Sequence, residues 1–280
     1  MMTPDRAINQ GAFWAKVNML RVLAHYPQGE AFTNEPGVSS NVVAGDVIWF
    51  LYGHDHFRPD SSRNMLDALA RFQYESGNIP EYYNARTGEV ADYDLNINDG
   101  TPLFVLGVNH HVRSTGAMDY LRGMYDHVAR ASRYIMSQRD ERGLVFCTGE
   151  GVEVWGICFW RNVIPNYRIN GAVTEINAEC AAALRAMGHM AENLERPDDA
   201  AEFGAAAKEL TATINEHLLD KERQLYLLNI DTAGRRHTDV TADKLFPVLF
   251  RVADEDVAYR IIRRLNSPDF WTPACARFRA

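Results

Sequence analysis

The sequence predicts an all-α protein built as a toroid of helical hairpins, and three observations support this class. Apolar residues recur at helical spacing along most of the 280-residue chain. Helices that are apolar nearly all round alternate with helices that have one charged face, as an inner ring covered by an outer ring requires. Every second helix also follows a loop rich in carboxylates, amides and aromatic residues, so a toroid would gather these loops on one rim.

The N-terminal half is predicted to contain five helices. The first, residues 7–26, has apolar residues at helical spacing and is ended by Pro27. The second, residues 46–57, is short and apolar, and we expect Trp49 to be a core residue. The remaining elements of this half are a helix over residues 61–74, an irregular connection over 79–94, and helices over 99–114 and 119–140.

The C-terminal half begins with a second long connection, residues 143–170. Long stretches without regular structure in a compact domain are usually functional. Residues 225–230 and 236–239 flank Ala233-Gly234 and predict a small β-hairpin. The helices predicted here are residues 174–194, 197–219, 243–251 and 255–266. Because no flexible linker or block of like charges interrupts the chain, we predict one domain over residues 1–280.

Composition excludes several functions. The chain has 29 basic and 37 acidic residues, a net charge of −8, and no basic stripe that would neutralise nucleic-acid phosphates. No apolar run reaches the roughly 20 residues of a membrane helix, and the N-terminus lacks the apolar segment of a signal peptide. We therefore expect a cytoplasmic protein without nucleic-acid or membrane partners. The four cysteines form no CxxC pair and are predicted to be buried reduced thiols.

Three segments show a family resemblance: residues 96–104 (NINDGTPLF), 159–165 (FWRNVIP) and 171–179 (GAVTEINAE). They resemble the six-hairpin glycosidases, in particular the glycogen-debranching, amylo-α-1,6-glucosidase-like group. The resemblance implies an (α/α)6 barrel of twelve helices with its active site on the rim where the inner helices begin. It also implies hydrolysis of an α-linked gluco-oligosaccharide by an inverting pair of carboxyl groups.

The sequence departs from this family in three places. Family members have Arg-Asp at the start of the second helix, where this chain has Gly45-Asp46. Arg161 directly follows Trp160, at a position where the family has its acid. The nine predicted helices are fewer than twelve, so we expect an incomplete barrel without the C-terminal helices that supply the family's second carboxylate.

Three carboxylates are the candidate catalytic residues. Asp99 begins the fourth helix, where it is either an N-cap or, by resemblance of residues 99–101, a sugar-binding or proton-transferring group. Glu175 lies in the first turn of the sixth helix, where the helix dipole favours a carboxylate. Glu153 lies between two valines and close to Trp155, an apolar setting that would raise the pKa of a proton donor.

The candidate sugar-binding residues are acids, amides and aromatics of the same loops. Amides and acids would bind hydroxyl groups, and aromatic faces would stack on sugar rings. The set is Asp46, Glu81, Tyr82, Asn96, Asn98, Trp155, Trp160, Arg161 and Asn162. Since HExxH and glycine-rich phosphate loops are missing, we expect no metal and no cofactor, and an oligosaccharide is the expected partner.

Two alternatives to a glycosidase remain open. A sugar epimerase or isomerase on the same barrel would use histidines as acid and base, and His110 and His111 on the fourth helix are the candidates. A non-catalytic fragment that only binds sugar is the other alternative, and it is motivated by Arg161 and by the missing helices.

Overall fold

The computed structural model describes residues 3–33, 37–92, 95–149 and 169–270. Within these ranges the chain forms nine α-helices joined by short strands and loops. The helices are α1 (Arg6–Val22), α2 (Ala44–His54), α3 (Pro59–Arg71), α4 (Gly100–Thr115), α5 (Met118–Ser137), α6 (Thr174–Asn193), α7 (Pro197–His217), α8 (Phe246–Leu249) and α9 (Glu255–Leu265). A 3-10 helix (Ala242–Leu245) leads into α8.

Four helices form the inside of an arc and four others cover them. Helices α2, α4, α6 and α8 contact one another in chain order, and α3, α5, α7 and α9 pack against neighbouring inner helices. The inner helix α6 is buried along almost its whole length, whereas α5 buries one stripe and exposes a charged face. For the described residues, this alternation confirms the predicted (α/α)6 arrangement of helical hairpins.

Short antiparallel strands lie where two of the inner helices begin. Strand β3 continues directly into α2 and pairs with β4, and β6 continues directly into α6 and pairs with β9. These pairs position the first turns of α2 and α6. The strands of the described residues are β1 (Leu23–Tyr26), β2 (Gly29–Phe32), β3 (Asn41–Val43), β4 (Tyr82–Asn84), β5 (Val90–Ala91), β6 (Ala172–Val173), β7 (Leu219–Asp220), β8 (Leu225–Tyr226), β9 (Asn229–Ile230) and β10 (Arg236–His237).

Three predictions about local structure are wrong. The first helix ends at Val22 instead of residue 26, because residues 23–26 form β1 and pair with β2. The connection over residues 79–94 contains β4 and β5, and its pairing with β3 is a tertiary contact. The side chain of Trp49 is 37% exposed, since it faces a cavity between the inner helices and not the core.

The predicted hairpin around Ala233-Gly234 is present as β9 and β10. Gly234 has a φ of +78°, which glycine adopts without steric cost. The beginning of the predicted first strand, Leu225–Tyr226, pairs with β7 instead. Cys147 and Cys180 are buried, as predicted, while Cys158 and Cys275 lie outside the described residues. No helix in the described ranges is both long and apolar enough to cross a membrane.

Candidate active site

The starts of α2 and α4 lie side by side and bring three acidic residues together. The backbone amide of Ala44 donates to the carbonyl oxygen of Glu81 at 2.9 Å, which holds β4 against the start of α2. Asp99 lies against Gly45, because a Cβ atom at position 45 would be 2.6 Å from Oδ2 of Asp99. Asp46 follows in the first turn of α2. The missing side chain at position 45 therefore makes room for the carboxyl group of Asp99.

Asn98, and not Asp99, caps α4 with its side chain. Oδ1 of Asn98 accepts a hydrogen bond from the amide of Gly100 at 3.0 Å, while its Nδ2 donates to Oε2 of Glu81 at 2.5 Å. Asp99 occupies the N-cap position without a side-chain capping hydrogen bond. Asp99 is therefore the N-cap of α4 by position, as predicted, but without the expected capping hydrogen bond, and Asn98 joins the helix start to the acidic cluster.

Burial and mutual repulsion raise the pKa values of two of these carboxyl groups. For Asp99, burial, followed by the charge of Asp46, raises the pKa to about 7. For Glu81, burial, followed by the charges of Asp99, Asp46 and Asp92, raises the pKa to about 8. Because the two groups interact, they titrate as a pair. Near neutral pH the pair retains a proton that it can donate.

The first two turns of α6 add two more acids, Glu175 and Glu179, which are both buried. They are four residues apart and share one face of the helix. Both carboxyl oxygens of Glu179 are without a hydrogen-bond partner in the part of the chain that the structure describes. Burial, followed by the charges of Glu175 and Asp99, raises the pKa of Glu179 well above its usual range. The acids of α6 therefore adjoin those of α4.

Sequence reasoning missed Glu179. The available signal was its spacing from Glu175 on an alanine-rich helix that was predicted to be internal. An acid on a helix that is buried all round faces other protein atoms, so it is either paired or protonated. Among the described residues its carboxyl group has no such pairing, and its raised pKa favours the protonated form.

Replacing Glu179 by Met should stabilise the protein by about 1–3 kcal/mol at neutral pH, because it removes a buried polar group without hydrogen bonds. The raised pKa means that the folded state holds this proton more tightly than the unfolded chain does. The parent protein therefore loses stability as pH rises from the unfolded pKa of about 4.3 towards the folded pKa, and the advantage of Glu179→Met should grow over that window. Urea unfolding at several pH values measures this change.

The matched control is Glu192→Met, near the end of the same helix, where the side chain is 65% exposed. Its effect should stay within about 0.5 kcal/mol at every pH. Loss of stability in Glu179→Met at neutral pH, with an unchanged control, would contradict this account of the buried carboxyl group.

The side-chain amide of Asn96 forms hydrogen bonds with other residues of the protein. Its Nδ2 donates to Oε1 of Gln138 at 2.8 Å and to the carbonyl of Phe146 at 3.0 Å, and its Oδ1 accepts from the amide of Thr148 at 2.7 Å. These bonds join the loop before α4 to the end of α5 and to residues 146–148. The amide of Asn96 therefore positions the loop that leads to Asp99.

The other predicted site residues divide into two groups. Tyr82 is half-buried in β4, directly after Glu81, and pairs with Val43 of β3, so it lies beside the acidic cluster. Five candidates lie outside the described residues: Glu153, Trp155, Trp160, Arg161 and Asn162.

The histidines considered for an epimerase lie far from this cluster. His110 is eleven residues after Asp99 on α4, which corresponds to about 16 Å along the helix axis. His111 is buried, and its Nδ1 is 2.8 Å from Oδ1 of Asp55, while Nε2 of His110 is 3.6 Å from Oδ2 of the same residue. Within the described ranges, no three His, Cys, Asp or Glu side chains are arranged to hold a metal ion.

Several solved structures share this fold. A GH78 rhamnosidase of Bacillus sp. GL1 aligns with 88% of this chain at a TM-score of 0.68 and 22% identity. A rhamnosidase of Klebsiella oxytoca with rhamnose bound aligns with 84% at a TM-score of 0.65 and 17% identity. A GH63 mannosylglycerate hydrolase of Thermus thermophilus in complex with glucose aligns with 93% at a TM-score of 0.69 and 14% identity. The described part of the chain therefore shares the (α/α)6 helical fold of these structures.

The family comparison is more specific and covers a shorter part of the chain. Residues 163–278 match the family described as a mannosylglycerate hydrolase MGH1-like glycoside hydrolase domain. The chain spans 24% of the Bacillus rhamnosidase, 43% of the Klebsiella rhamnosidase and 80% of the Thermus hydrolase. No curated protein sequence matches the chain.

Proposed function

We propose that this protein is a glycoside hydrolase whose active site is the acidic cluster at the starts of α2, α4 and α6. The observation that supports this most directly is the elevated pKa of Asp99 and Glu81 in a fold shared with glycosidases. Glycoside hydrolysis needs one carboxyl group that is protonated at the working pH and a second that is ionised. Buried carboxyl groups crowded by like charges supply the protonated member.

In this proposal Asp99 is the general acid that protonates the glycosidic oxygen. Glu175, across the cluster on α6, is the general base that activates a water molecule on the opposite face of the sugar. Such a reaction inverts the anomeric centre and needs carboxyl groups about 6.5–9.5 Å apart, which leaves room for the water. Asp46, Glu81 and Asn98 would bind sugar hydroxyls, and Glu153 is a further candidate acid.

The substrate we propose is an α-linked gluco-oligosaccharide, on the resemblance of residues 96–104 and 171–179 to debranching-type enzymes. The similar structures bind glucose or rhamnose, and the matched family is named for mannosylglycerate. Mannosylglycerate and an α-rhamnoside are therefore the competing substrates. The chemistry at the reacting centre is the same for all three, so the test has to compare sugars.

The test is release of free sugar from isomaltose, maltotriose, mannosylglycerate and an aryl α-rhamnoside, followed by chromatography, with calorimetry on the same sugars. We expect hydrolysis of at least one α-glucoside. Faster hydrolysis of either competitor would replace the substrate and keep the reaction. Binding without hydrolysis of any sugar would favour the non-catalytic alternative, and neither binding nor hydrolysis would contradict the proposal.

Gly45→Ala tests how closely Asp99 has to be placed. The added methyl group would lie 2.6 Å from Oδ2 of Asp99, so the carboxyl group has to move. Because a displacement of about 1 Å can cost about a hundredfold in rate, we expect a loss of that order with little change in stability. Initial rates and thermal unfolding measure the two effects. Gly11→Ala on α1, where the new Cβ meets nothing within 4 Å, is the control and should retain full activity.

A further inference from the structure

A cavity of about 850 Å³ lies between the inner helices, away from their acidic starts. Its lining residues on α4 are 106–114 and those on α6 are 182–189, whereas Asp99 and Glu175 lie at the first turns of these helices. Trp49 and Tyr52 of α2 and Phe250 after α8 complete its wall. A volume of this size is typical of a small-molecule site.

The lining of this cavity is basic although the whole chain is acidic. Arg113, Arg185 and Arg251 line it together with His110 and His189, and none of the described lining residues is a carboxylate. The net charge of the chain is −8, and the starts of the same helices carry the acidic cluster. The two ends of the inner helices therefore have opposite electrostatic character.

The three arginines of the cavity have no carboxylate partner within the described ranges. Eight arginines elsewhere pair with a carboxylate: Arg58, Arg63, Arg122, Arg133, Arg139, Arg142, Arg223 and Arg264. In the same ranges, Arg113, Arg185 and Arg251 form no ion pair, and Arg185 uses Nη2 to donate to the carbonyl of Phe250 at 2.6 Å. Burial, followed by the charge of Arg251, lowers the pKa of Arg185. An anion in the cavity would offset this repulsion.

Arg251 adopts an unfavourable backbone conformation beside the cavity. Its φ is +54°, and it follows Phe250, the C-cap of α8, at a position where glycine is usual. For a residue with a Cβ atom this conformation carries a steric cost. The cost is consistent with a role for the guanidinium group at the cavity.

Aromatic side chains add a surface for a ring. Trp49 and Tyr52 are each 37% exposed and have ring centroids 5.6 Å apart. Trp49 also lies 6.4 Å from Phe250, and Tyr52 lies 4.4 Å from His110. Exposed aromatic faces beside polar groups bind the apolar face of a hydroxylated ring.

We propose that this cavity binds a small anionic sugar, a monosaccharide with a phosphate or carboxylate group, at a site separate from the acidic cluster. The arginines would bind the anionic group, and Trp49 and Tyr52 would stack on the ring. The inference goes beyond the proposed hydrolysis and does not depend on it, because it rests on different residues at the other end of the helices.

The test is calorimetric titration of the chain with glucose 6-phosphate, glucuronate and glucose at constant ionic strength. We expect saturable binding of at least one of the two anions and weaker binding of glucose. Tighter binding of glucose 6-phosphate would identify the phosphate as the recognised group, and tighter binding of glucuronate would identify the carboxylate. Equal or tighter binding of glucose, or no binding of either anion, would overturn the proposal.

Variants locate the binding. The double variant Arg113→Gln/Arg251→Gln should weaken anion binding about tenfold or more, because both side chains are outside any ion pair in the described ranges. The control Arg122→Gln/Arg260→Gln removes the same charge from exposed positions on α5 and α9 and should change the affinity by less than about twofold. Asp99→Asn should leave anion binding intact. Loss of binding in Asp99→Asn, or its full retention in the first variant, would contradict the assignment.

Discussion

Asp99→Asn should lower the rate of glycoside hydrolysis by about two to four orders of magnitude and leave the fold intact. The change keeps the size of the side chain but removes the proton that a general acid transfers, and such transfers contribute about 10²–10⁴ in rate. Oδ2 of Asp99 lies against Gly45, and a planar amide occupies the same space as a planar carboxyl group. Initial rates measure the loss, and thermal unfolding checks the fold.

The pH dependence gives a second measurement on the same residue. A general acid works only while it is protonated, so activity should fall as pH rises through the Asp99 pKa of about 7. In Asp99→Asn the residual activity should lose this basic limb. Because Asp99 and Glu81 titrate together, the fall in activity at high pH reflects the pKa values of both carboxyl groups. Glu81→Gln removes one of the two acids, so the fall should move to lower pH.

The matched control for Asp99→Asn is Asp119→Asn. Asp119 lies in the first turn of α5, and its side chain is fully exposed, so the change makes the same substitution at a helix start without entering the cluster. It should retain full activity. Full activity in Asp99→Asn, or an equal loss in both variants, would rule out Asp99 as the acid.

Gly171→Ala should destabilise the protein by more than about 3 kcal/mol. Gly171 has a φ of +70°, and a Cβ atom there would lie 2.1 Å from the carbonyl oxygen of Ile230 and 2.7 Å from the carbonyl carbon of Asp231. Both neighbours are backbone atoms of a strand and its turn, so they cannot move aside as a flexible side chain can. Gly171 also exchanges two backbone hydrogen bonds with Cys147, each of 2.8 Å. Substitutions that force this kind of backbone strain are among those that lower the stability of a protein most.

The consequence extends to the site because Gly171 directly precedes β6, which continues into α6 and its two acids. Denaturant unfolding measures the loss of stability. The control is Gly123→Ala on the exposed side of α5, where a new Cβ atom meets nothing within 4 Å. This substitution should stabilise the helix by up to about 1 kcal/mol. A loss of stability below about 1 kcal/mol for Gly171→Ala would contradict this prediction. It would mean that the backbone of Ile230 and Asp231 can move to accommodate the new Cβ atom.

The helical architecture was predictable because it follows from local periodicity. The Ala-rich sequence of α6 indicates an internal helix, and the charged face of α5 indicates an external one. The short strands were less predictable. Residues 82–84 form β4 only because β3, some forty residues earlier in the chain, pairs with them, and no local pattern carries that contact.

The candidate site was predictable in part. Asp99 and Glu175 were predicted because they are acids at the starts of inner helices. Carboxylates are favoured near the N-termini of helices, and the inner helices of a toroid start on one rim. Glu179 was missed because its sequence context describes an ordinary helix position. Only packing shows that its carboxyl group is buried without hydrogen bonds among the described residues. The capping hydrogen bond that Asn98 makes at the start of α4 was also not predicted, since both Asn and Asp cap helices and only the geometry distinguishes them.

The sequence by itself determined the class of fold, the alternation of inner and outer helices, and the residue types at the helix starts, because each depends on neighbours within a few turns of the chain. The tertiary structure alone decided the pKa of Asp99, the space at Gly45 and the basic cavity of Arg113, Arg185 and Arg251. These properties depend on burial and on charges brought together from distant segments. Electrostatic energy varies with separation in space and with access to water, and neither can be read from the order of residues.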